Sequence, residues 1–314
     1  MAISPWLIAG PGAVGRLYAL ALREAGEDVK LLYRKNSSKK PPSAFEFFET
    51  SKKQKKTLSS LEWTNKIPEN ARAVLLCVRT DNLEDFLAER RDEILANPKV
   101  PIVFFQPGFH DREKIEKALK GISLAQGNPG LLAYFEGEVL RYWIPTGVAT
   151  VVSPVSGETA ALLQELTQKL TRGGVRAKVV RDVAGAFQAP FALGMPLIAA
   201  WQEKDFDEKR LAKDGELLRL AAAAGKEGLA VGRAISNPPA WTAALSLVPS
   251  FVLARGVGFL LSITGKNEMI SMWKTHASKI REQTREMIGD LIRDGRAKGL
   301  PVGSLEKLQM RVWG

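Results

Sequence analysis

A glycine-rich turn beginning at residue 10 constrains the fold of this chain more than any other feature. The apolar run Trp6–Ala9 has the length of a buried strand, and it leads directly into Gly10-Pro11-Gly12-Ala13-Val14-Gly15 and a helical pattern. In this context the first glycine permits a tight turn, the second lets a pyrophosphate approach the backbone, and the third lets helix and strand pack closely. The amide groups that begin the helix would then face the phosphates.

The turn predicts a dinucleotide site formed by Gly10, Gly12, Ala13, Val14 and Gly15, with a tight turn that binds no ligand as the alternative. The next predicted strand, residues 29–33, indicates which dinucleotide binds. Arg34 and Lys35 follow this strand, and no acidic residue stands at its tip. An NAD-selective site places Asp or Glu there for the ribose 2′-hydroxyl, whereas a guanidinium suits the 2′-phosphate. The sequence therefore predicts NADP(H), with Arg34 as the phosphate ligand.

Strand and helix patterns alternate over roughly the first 180 residues. Further apolar runs that predict strands lie at residues 73–78, 100–105, 148–152 and 175–180, and helical patterns lie at 81–95, 112–119 and 158–170. This alternation is typical of βαβ units and a parallel sheet. We therefore expect residues 1–182 to form an NADP-binding, Rossmann-type domain with a doubly wound parallel sheet.

Helical patterns alone follow from Asp182 onward. Residues 211–224 and 267–298 give long helical stretches, and the second is followed by the stop signals Gly299 and Pro301. Residues 183–314 are therefore predicted to form an all-helical domain for substrate binding and dimerisation. The apolar stretch 241–263 is interrupted by Pro249 and Arg255, which favours a buried or substrate-facing helix pair over a membrane or partner surface.

Composition excludes several kinds of site. The 314 residues include one cysteine, Cys77, and two histidines, so an intramolecular disulfide and a zinc cluster built on cysteines are excluded, and a multi-histidine metal site is not expected. The net charge of +11 favours anionic partners, including phosphorylated small molecules. No basic, apolar leader pattern opens the sequence, so a cytoplasmic protein is expected.

A basic segment contributes much of the positive charge. Residues 34–56 contain eight Lys or Arg residues and two acidic residues. The preferred interpretation is a solvated loop and an exposed strand near the cofactor site, with a second anion-binding role, including nucleic acid, as the alternative. Because no aromatic-interleaved basic motif is present, neither a nucleic acid nor a membrane is the expected partner.

Several motifs taken together resemble a known family over nearly the whole chain. They are Ile8 to Gly15, Ala25 to Val29 leading to Arg34, Val74 to Arg79, Gln106-Pro107-Gly108, and Gly299 to Val302. Their order and spacing are similar to those of the ketopantoate reductases (2-dehydropantoate 2-reductases). The resemblance implies a Rossmann domain and a helical domain of the 6-phosphogluconate-dehydrogenase-like kind, with an active site in the cleft between them. It also implies NADPH-dependent reduction of a 2-oxo acid, a lysine as general acid, and cofactor contacts from Val78, Arg79 and Gln106.

The chain departs from this family at the catalytic positions. Where the resemblance implies a lysine and two asparagines on one helical face, the sequence has Phe187, Phe191 and Met195. Two rings and a thioether cannot donate a proton, and they suit a core stripe or the wall of an apolar substrate pocket. The family's substrate-binding Ser and Glu fall on Ser271 and Gln283, so the serine is kept and the carboxylate is replaced by an amide.

Two readings of function follow from these departures. The first is an NADPH-dependent oxidoreductase acting on a less polar 2-oxo acid or other carbonyl, with His276, Lys204 or an ordered water as the proton source. The second is a non-catalytic NADP(H)-binding protein that serves as a sensor or scaffold. A homodimer is a further expectation, because dimers are common for this architecture.

Overall fold

The structure is a computed structural model, and it describes residues 4–33, 44–59, 61–238, 240–263, 274–275 and 277–314. The chain divides into two compact units, Met1–Val183 and Ala184–Gly314, called here the amino-terminal and carboxy-terminal units. The roles predicted for the two domains, cofactor binding in the first and substrate binding and dimerisation in the second, stay predictions.

Strands and helices alternate through the amino-terminal unit. The first strands are β1 (Trp6–Ala9), β2 (Val29–Leu32), β3 (Ala44–Glu49), β4 (Gln54–Ser59), β5 (Glu62–Thr64) and β6 (Ala73–Leu76). The later strands are β7 (Ile102–Phe104), β8 (Leu124–Asn128), β9 (Leu132–Glu136), β10 (Val139–Trp143), β11 (Thr150–Ser156) and β12 (Ala177–Val179). The helices are α1 (Ala13–Glu24), α2 (Leu83–Leu95), α3 (Asp111–Ala118) and α4 (Ala160–Arg172), and a short 3-10 helix covers Thr80–Asn82.

The main sheet has the strand order expected of a Rossmann fold. Its eight strands run β12-β11-β8-β7-β6-β1-β2-β5, and the six from β8 to β5 are parallel to their neighbours. The strand order reverses between β1 and β6, and ligands of such sheets bind beyond the carboxyl ends of the strands at that point. The predicted α/β fold class is therefore confirmed.

The middle of this sheet is buried on both faces. Along β1, the side chains of Trp6 and Ile8 pack into one hydrophobic core and those of Leu7 and Ala9 into another, and all four are fully buried. A strand covered on both sides needs apolar residues at every position, which is why the run shows no alternation of polar and apolar residues. This burial fixes the strand that leads into the glycine-rich turn.

Two features of this unit differ from the prediction. The sheet is mixed rather than wholly parallel, because β11 runs antiparallel to β8. A second, four-stranded sheet with the order β4-β3-β10-β9 was not predicted as a sheet. Part of it lies in the basic segment, where the polar strand β4 is mostly exposed and carries little apolar periodicity. Residues 34–43 of that segment lie outside the described residues.

The carboxy-terminal unit is helical throughout its described residues, as predicted. Its helices are α5 (Val183–Glu203), α6 (Glu208–Lys213), α7 (Gly215–Ile235), α8 (Trp241–Leu247), α9 (Ser250–Ile263), α10 (Arg281–Ala297) and α11 (Gly303–Trp313). The single helix predicted over 211–224 is wrong, since α6 and α7 are separated at Asp214. The Asp214 side chain caps α7 by accepting a hydrogen bond from the Leu217 amide at 2.9 Å.

The long helix predicted over 267–298 can be compared only in part, because residues 264–273 and 276 lie outside the described residues. Its later part is α10, which begins after a turn at Ile280. The predicted stop is confirmed at Gly299, which has a φ of 65°. The Leu300 amide then donates to the Gly295 carbonyl at 2.8 Å, as in a helix ended by a left-handed glycine.

The apolar stretch 241–263 does form a helix pair, α8 and α9, but the expected burial is wrong for Trp241, Leu247 and Phe251, which are exposed. Taken together, this pair meets the length and hydropathy of a membrane span, although the two helices are bent by 103°. Among the described helices, α5 alone meets that criterion by itself, and 44% of its most apolar window is buried. Core helices of soluble proteins share this composition, so the match is weak evidence for a span.

Candidate cofactor site

The first and third glycines of the turn are required by close backbone contacts. Gly10 has a φ of 84°, and a Cβ atom there would lie 2.6 Å from the Val78 nitrogen. A Cβ on Gly15 would lie 2.4 Å from the Gly10 carbonyl oxygen and 2.9 Å from the Ile8 side chain. The first glycine therefore lets the turn touch the end of β6, and the third lets α1 pack tightly on β1.

The second glycine faces open space instead. Gly12 is exposed, and a Cβ atom there would have no neighbour within 4 Å. No side chain caps the start of α1, and no acidic residue occupies its first turn. The amides of Ala13, Val14 and Gly15 begin a helix whose positive end is thus open to an anion. These residues fit a dinucleotide pyrophosphate.

Arg16 stabilises this turn through contacts that the sequence did not predict. Its Nε donates to the Pro11 carbonyl at 2.9 Å. Its guanidinium carbon lies 4.2 Å from the ring centre of Phe45 on β3 and 4.8 Å from that of Phe135 on β9. Burial between these rings lowers the pKa of Arg16, although the group stays charged near neutral pH. Because both rings come from the unpredicted second sheet, the pattern around Arg16 gave no signal of these contacts.

Gln106 connects the loop after β7 to the end of β6 and the loop that follows it by hydrogen bonds. Its side chain is buried, and Nε2 donates to the carbonyl of Val78 at 2.9 Å and more weakly to that of Leu76 at 3.3 Å. Within the described part of the chain, its Oε1 is buried without a hydrogen-bond partner. The predicted cofactor residues Gly10, Val78 and Gln106 therefore lie together at the carboxyl edge of β1, β6 and β7.

Asp111 connects the Pro107-Gly108 turn to the segment after β6 by hydrogen bonds. One carboxyl oxygen, Oδ2, accepts from the Thr80 hydroxyl at 2.7 Å and from the Gly108 amide at 3.0 Å. A Cβ on Gly108 would lie 2.5 Å from this oxygen, so glycine is needed there. The side chain of Asp111 is 2% exposed, and this burial raises the pKa of the carboxyl above its ordinary value of 3.8. The sequence placed Asp111 only at the edge of a helix.

Substituting Asp111 is expected to change the pH dependence of stability. An Asp whose pKa is raised by folding makes the protein lose stability as the pH rises from the unfolded pKa to the folded one. In Asp111→Asn the amide oxygen can accept the same two hydrogen bonds without ionising, so this slope should disappear. Urea unfolding at pH values from 4 to 7 measures the difference, with the exposed Asp92→Asn as the control. A wild-type slope unchanged in Asp111→Asn would contradict the assignment.

Two arginines are predicted to contact the cofactor, Arg34 at its 2′-phosphate and Arg79 after β6. Arg79 is an exposed residue that forms an ion pair with Asp81, with its Nε 2.9 Å from Oδ1. Arg34 lies outside the described residues. The residue before it, Tyr33, is anchored by the fully buried Arg90, whose Nη2 donates to the Tyr33 carbonyl at 2.5 Å.

Arg90 also holds the neighbouring loop after β5. Its Nη1 donates to the Asn65 carbonyl at 2.6 Å and to the Glu93 carboxylate at 2.7 Å. The carboxyl ends of β2 and β5 are therefore joined by one buried guanidinium. Sequence reasoning missed this residue, because a single arginine on α2 is usually a surface charge.

The substituted family positions lie on α5. Phe187 and Phe191 are half-buried, with ring centres 6.2 Å apart, and Met195 is buried. The face predicted to correspond to the family's lysine-bearing face is apolar, and its first two members retain exposed ring surface. This arrangement suits contact with an apolar ligand better than proton transfer.

The remaining predicted residues are the proton-donor candidates Lys204 and His276 and the substrate residues Gln283 and Ser271. Lys204 forms ion pairs with Asp214 at 2.8 Å and with Glu203 at 3.1 Å. Its pKa is raised, chiefly because its ammonium group donates a hydrogen bond to the Asp214 carboxylate. These contacts favour a structural role for Lys204 over proton donation. Gln283 lies in the first turn of α10, where its Nε2 is 3.8 Å from the Met287 sulfur. His276 and Ser271 lie outside the described residues.

Comparison with known proteins supports the resemblance. Residues 6–138 match the model of the ketopantoate reductase PanE/ApbA family. The structure is similar to a 2-dehydropantoate 2-reductase from Geobacter metallireducens GS-15, with a TM-score of 0.73 and 15% identity over 98% of each chain. It is also similar to a PanE/ApbA family ketopantoate reductase from Ralstonia eutropha JMP134, with a TM-score of 0.72 and 19% identity over 98% of this chain and 97% of that one.

A third similar structure is a D-mandelate dehydrogenase complex with NADH, with a TM-score of 0.70 and 15% identity over 98% of this chain and 97% of that one. At these identities the likeness shows the fold. No curated protein matches the chain by sequence.

Proposed function

Since residues 6–138 match the ketopantoate reductase PanE/ApbA family model and the fold is similar to that of solved ketopantoate reductases, we propose that this chain is a nicotinamide-dependent oxidoreductase. The finer proposal is an enzyme that uses NADPH to reduce a 2-oxo acid or another carbonyl compound. The observation that carries it is the open start of α1, where Gly12 leaves room for a ligand and no side chain occupies the helix end.

Different residues of the chain are proposed to bind different parts of the coenzyme. The amides of Ala13, Val14 and Gly15 would hold the pyrophosphate, while Arg16 keeps the turn rigid through the Pro11 carbonyl. Arg34 is proposed to bind the 2′-phosphate, and Arg90 positions the strand end that leads to it. Bound NADPH would supply a hydride to the carbonyl carbon.

The substrate is proposed to be less polar than ketopantoate. Phe187 and Phe191 offer ring surface where the family has polar groups, and Gln283 offers a neutral amide where it has a carboxylate. Neither ring can protonate the developing alkoxide. Of the three predicted proton sources, the ion pairs of Lys204 leave His276 or an ordered water as the proposed donor. Aryl and branched-alkyl 2-oxo acids fit this chemistry.

The same apolar face supports a second candidate function, a non-catalytic NADP(H)-binding protein. Both candidates predict NADPH binding, and turnover separates them. NADPH absorbance should be followed with ketopantoate, aryl and branched-alkyl 2-oxo acids and hydrophobic ketones. Oxidation with the apolar substrates supports the reductase, whereas tight binding without turnover on every substrate supports the non-catalytic protein. A cytoplasmic location and a homodimer belong to the proposal as well.

Replacing Arg34 with alanine is expected to weaken NADPH binding at least tenfold while changing NADH binding little. The reason is that only NADPH carries the 2′-phosphate that the guanidinium would bind. Calorimetric titration of both coenzymes measures the two ratios. Arg23→Ala, at the other end of α1, is the matched control and should affect neither coenzyme. Equal losses for NADPH and NADH in Arg34→Ala would refute the assignment.

A further inference from the structure

The carboxy-terminal unit contains an open cavity of about 400 Å³, where α9 meets α6 and α7. Its apolar wall includes Leu218, Phe251, Ala254 and Phe259. The volume lies within the range of small-molecule sites, which are mostly apolar with a few polar groups that orient the ligand.

Two guanidinium groups supply the polar part of this wall. Arg219 on α7 and Arg255 on α9 line the cavity, and the described lining residues include no carboxylate. Within the described part of the chain neither arginine forms an ion pair, whereas Arg311 in the same unit contacts Asp214 at 3.1 Å. Arg255 instead lies 5.9 Å from the ring centre of Phe251. Unpaired guanidiniums beside apolar surface complement an anion that has an apolar part.

The rim of the cavity is also unusually apolar. Phe251 and Phe259 are 52% and 65% exposed. They belong to the α8–α9 segment, which holds five of the seven exposed large hydrophobic side chains among the described residues. Exposed apolar surface concentrated in one place marks a binding site more often than chance exposure does. A ligand tail in the cavity would cover part of these two rings.

We propose that this cavity binds a carboxylate with a medium-length apolar tail, its head group held by Arg219 and Arg255 and its tail placed along Leu218, Phe251 and Phe259. All of these residues belong to the carboxy-terminal unit, whereas the glycine-rich turn belongs to the amino-terminal unit. The inference therefore does not depend on the proposed reductase activity.

Decanoate, used below its micelle concentration, is a direct probe of this site. Calorimetric titration of the full chain should show saturable binding, at least tenfold tighter than that of decanol, which has the tail but no charge. The double variant Arg219→Ala/Arg255→Ala should lose at least tenfold in decanoate affinity. Arg233→Ala is the matched control, because Arg233 is an exposed α7 arginine that contacts Ser246 and does not line the cavity.

A second variant tests whether the ligand occupies the cavity itself, independently of the charge of its head group. Ala212→Trp would fill the cavity from α6 and should weaken decanoate and decanol binding together. The proposal is overturned if decanoate fails to saturate, if decanol binds as tightly, or if the double variant behaves like Arg233→Ala. It is also overturned if phosphatidylglycerol vesicles bind the protein while free decanoate does not, since the surface would then serve a membrane.

Discussion

Replacing Gly12 with aspartate is expected to reduce NADPH affinity at least a hundredfold without unfolding the protein. A side chain at this position meets no neighbour within 4 Å, so the fold can accept it. An aspartate at the start of α1 would cap the free amides and place a negative charge where the pyrophosphate must bind. A hundredfold loss corresponds to about 2.8 kcal/mol of binding free energy. Calorimetry with NADPH measures the loss, and thermal unfolding checks the fold.

Two further variants at this turn distinguish the effect of the added charge on NADPH binding from the effect of a side chain on folding. Gly12→Asn caps the same amides without the charge, and it should lose less affinity than Gly12→Asp. Gly15→Val should instead lower the thermal stability, because its Cβ would lie 2.4 Å from the Gly10 carbonyl oxygen. NADPH binding by Gly12→Asp that equals the wild type would remove the cofactor from this turn.

Replacing Arg90 with alanine is expected to lower the free energy of unfolding by about 3–5 kcal/mol, the usual cost of removing one partner of a buried charged pair. The variant would remove the guanidinium that donates to the Glu93 carboxylate and to the carbonyls of Tyr33 and Asn65. Urea unfolding of the wild type and the variant measures the difference.

The adjacent Arg91 provides a matched control for that experiment. It is an exposed arginine on the same helix, and its Nε donates to the Ala118 carbonyl at 3.0 Å. Arg91→Ala should cost about 1 kcal/mol or less, as is usual for exposed polar contacts. Equal destabilisation by the two variants would mean that the buried network around Arg90 adds nothing specific.

The parts of the fold that were predictable depend on local patterns. The turn from Gly10 to Gly15 could be predicted, because the spacing of its glycines between a strand and a helix indicates the role of each glycine. The central strands are readable because burial on both faces demands continuous apolar runs, as in β1.

The parts that escaped prediction depend on contacts between distant segments. The second sheet pairs β3 with β10, which are about 90 residues apart, and the pairing gives no local signal. Arg16, Arg90 and Asp111 acquire their roles from partners on other elements, so a single sequence shows them as ordinary charges. The strand β11 was predicted, but its antiparallel direction was missed because strand direction is set by the path of the connecting chain rather than by composition.

The apolar face of α5 bears on the proposed function, because it lies where the resemblance predicts polar catalytic groups. The turn from Gly10 to Gly15 leaves the start of α1 open, whereas Phe187 and Phe191 lie where the resemblance predicts polar groups for proton transfer. A site changed in this way fits either a less polar substrate or binding without turnover, and both depend on the same coenzyme.

Calorimetric titration of the intact protein with NADPH, and in parallel with NADH, tests the central claim most directly. The account predicts saturable binding of one NADPH per chain, with NADH at least tenfold weaker because it lacks the 2′-phosphate. Failure of the protein to bind either coenzyme would contradict it.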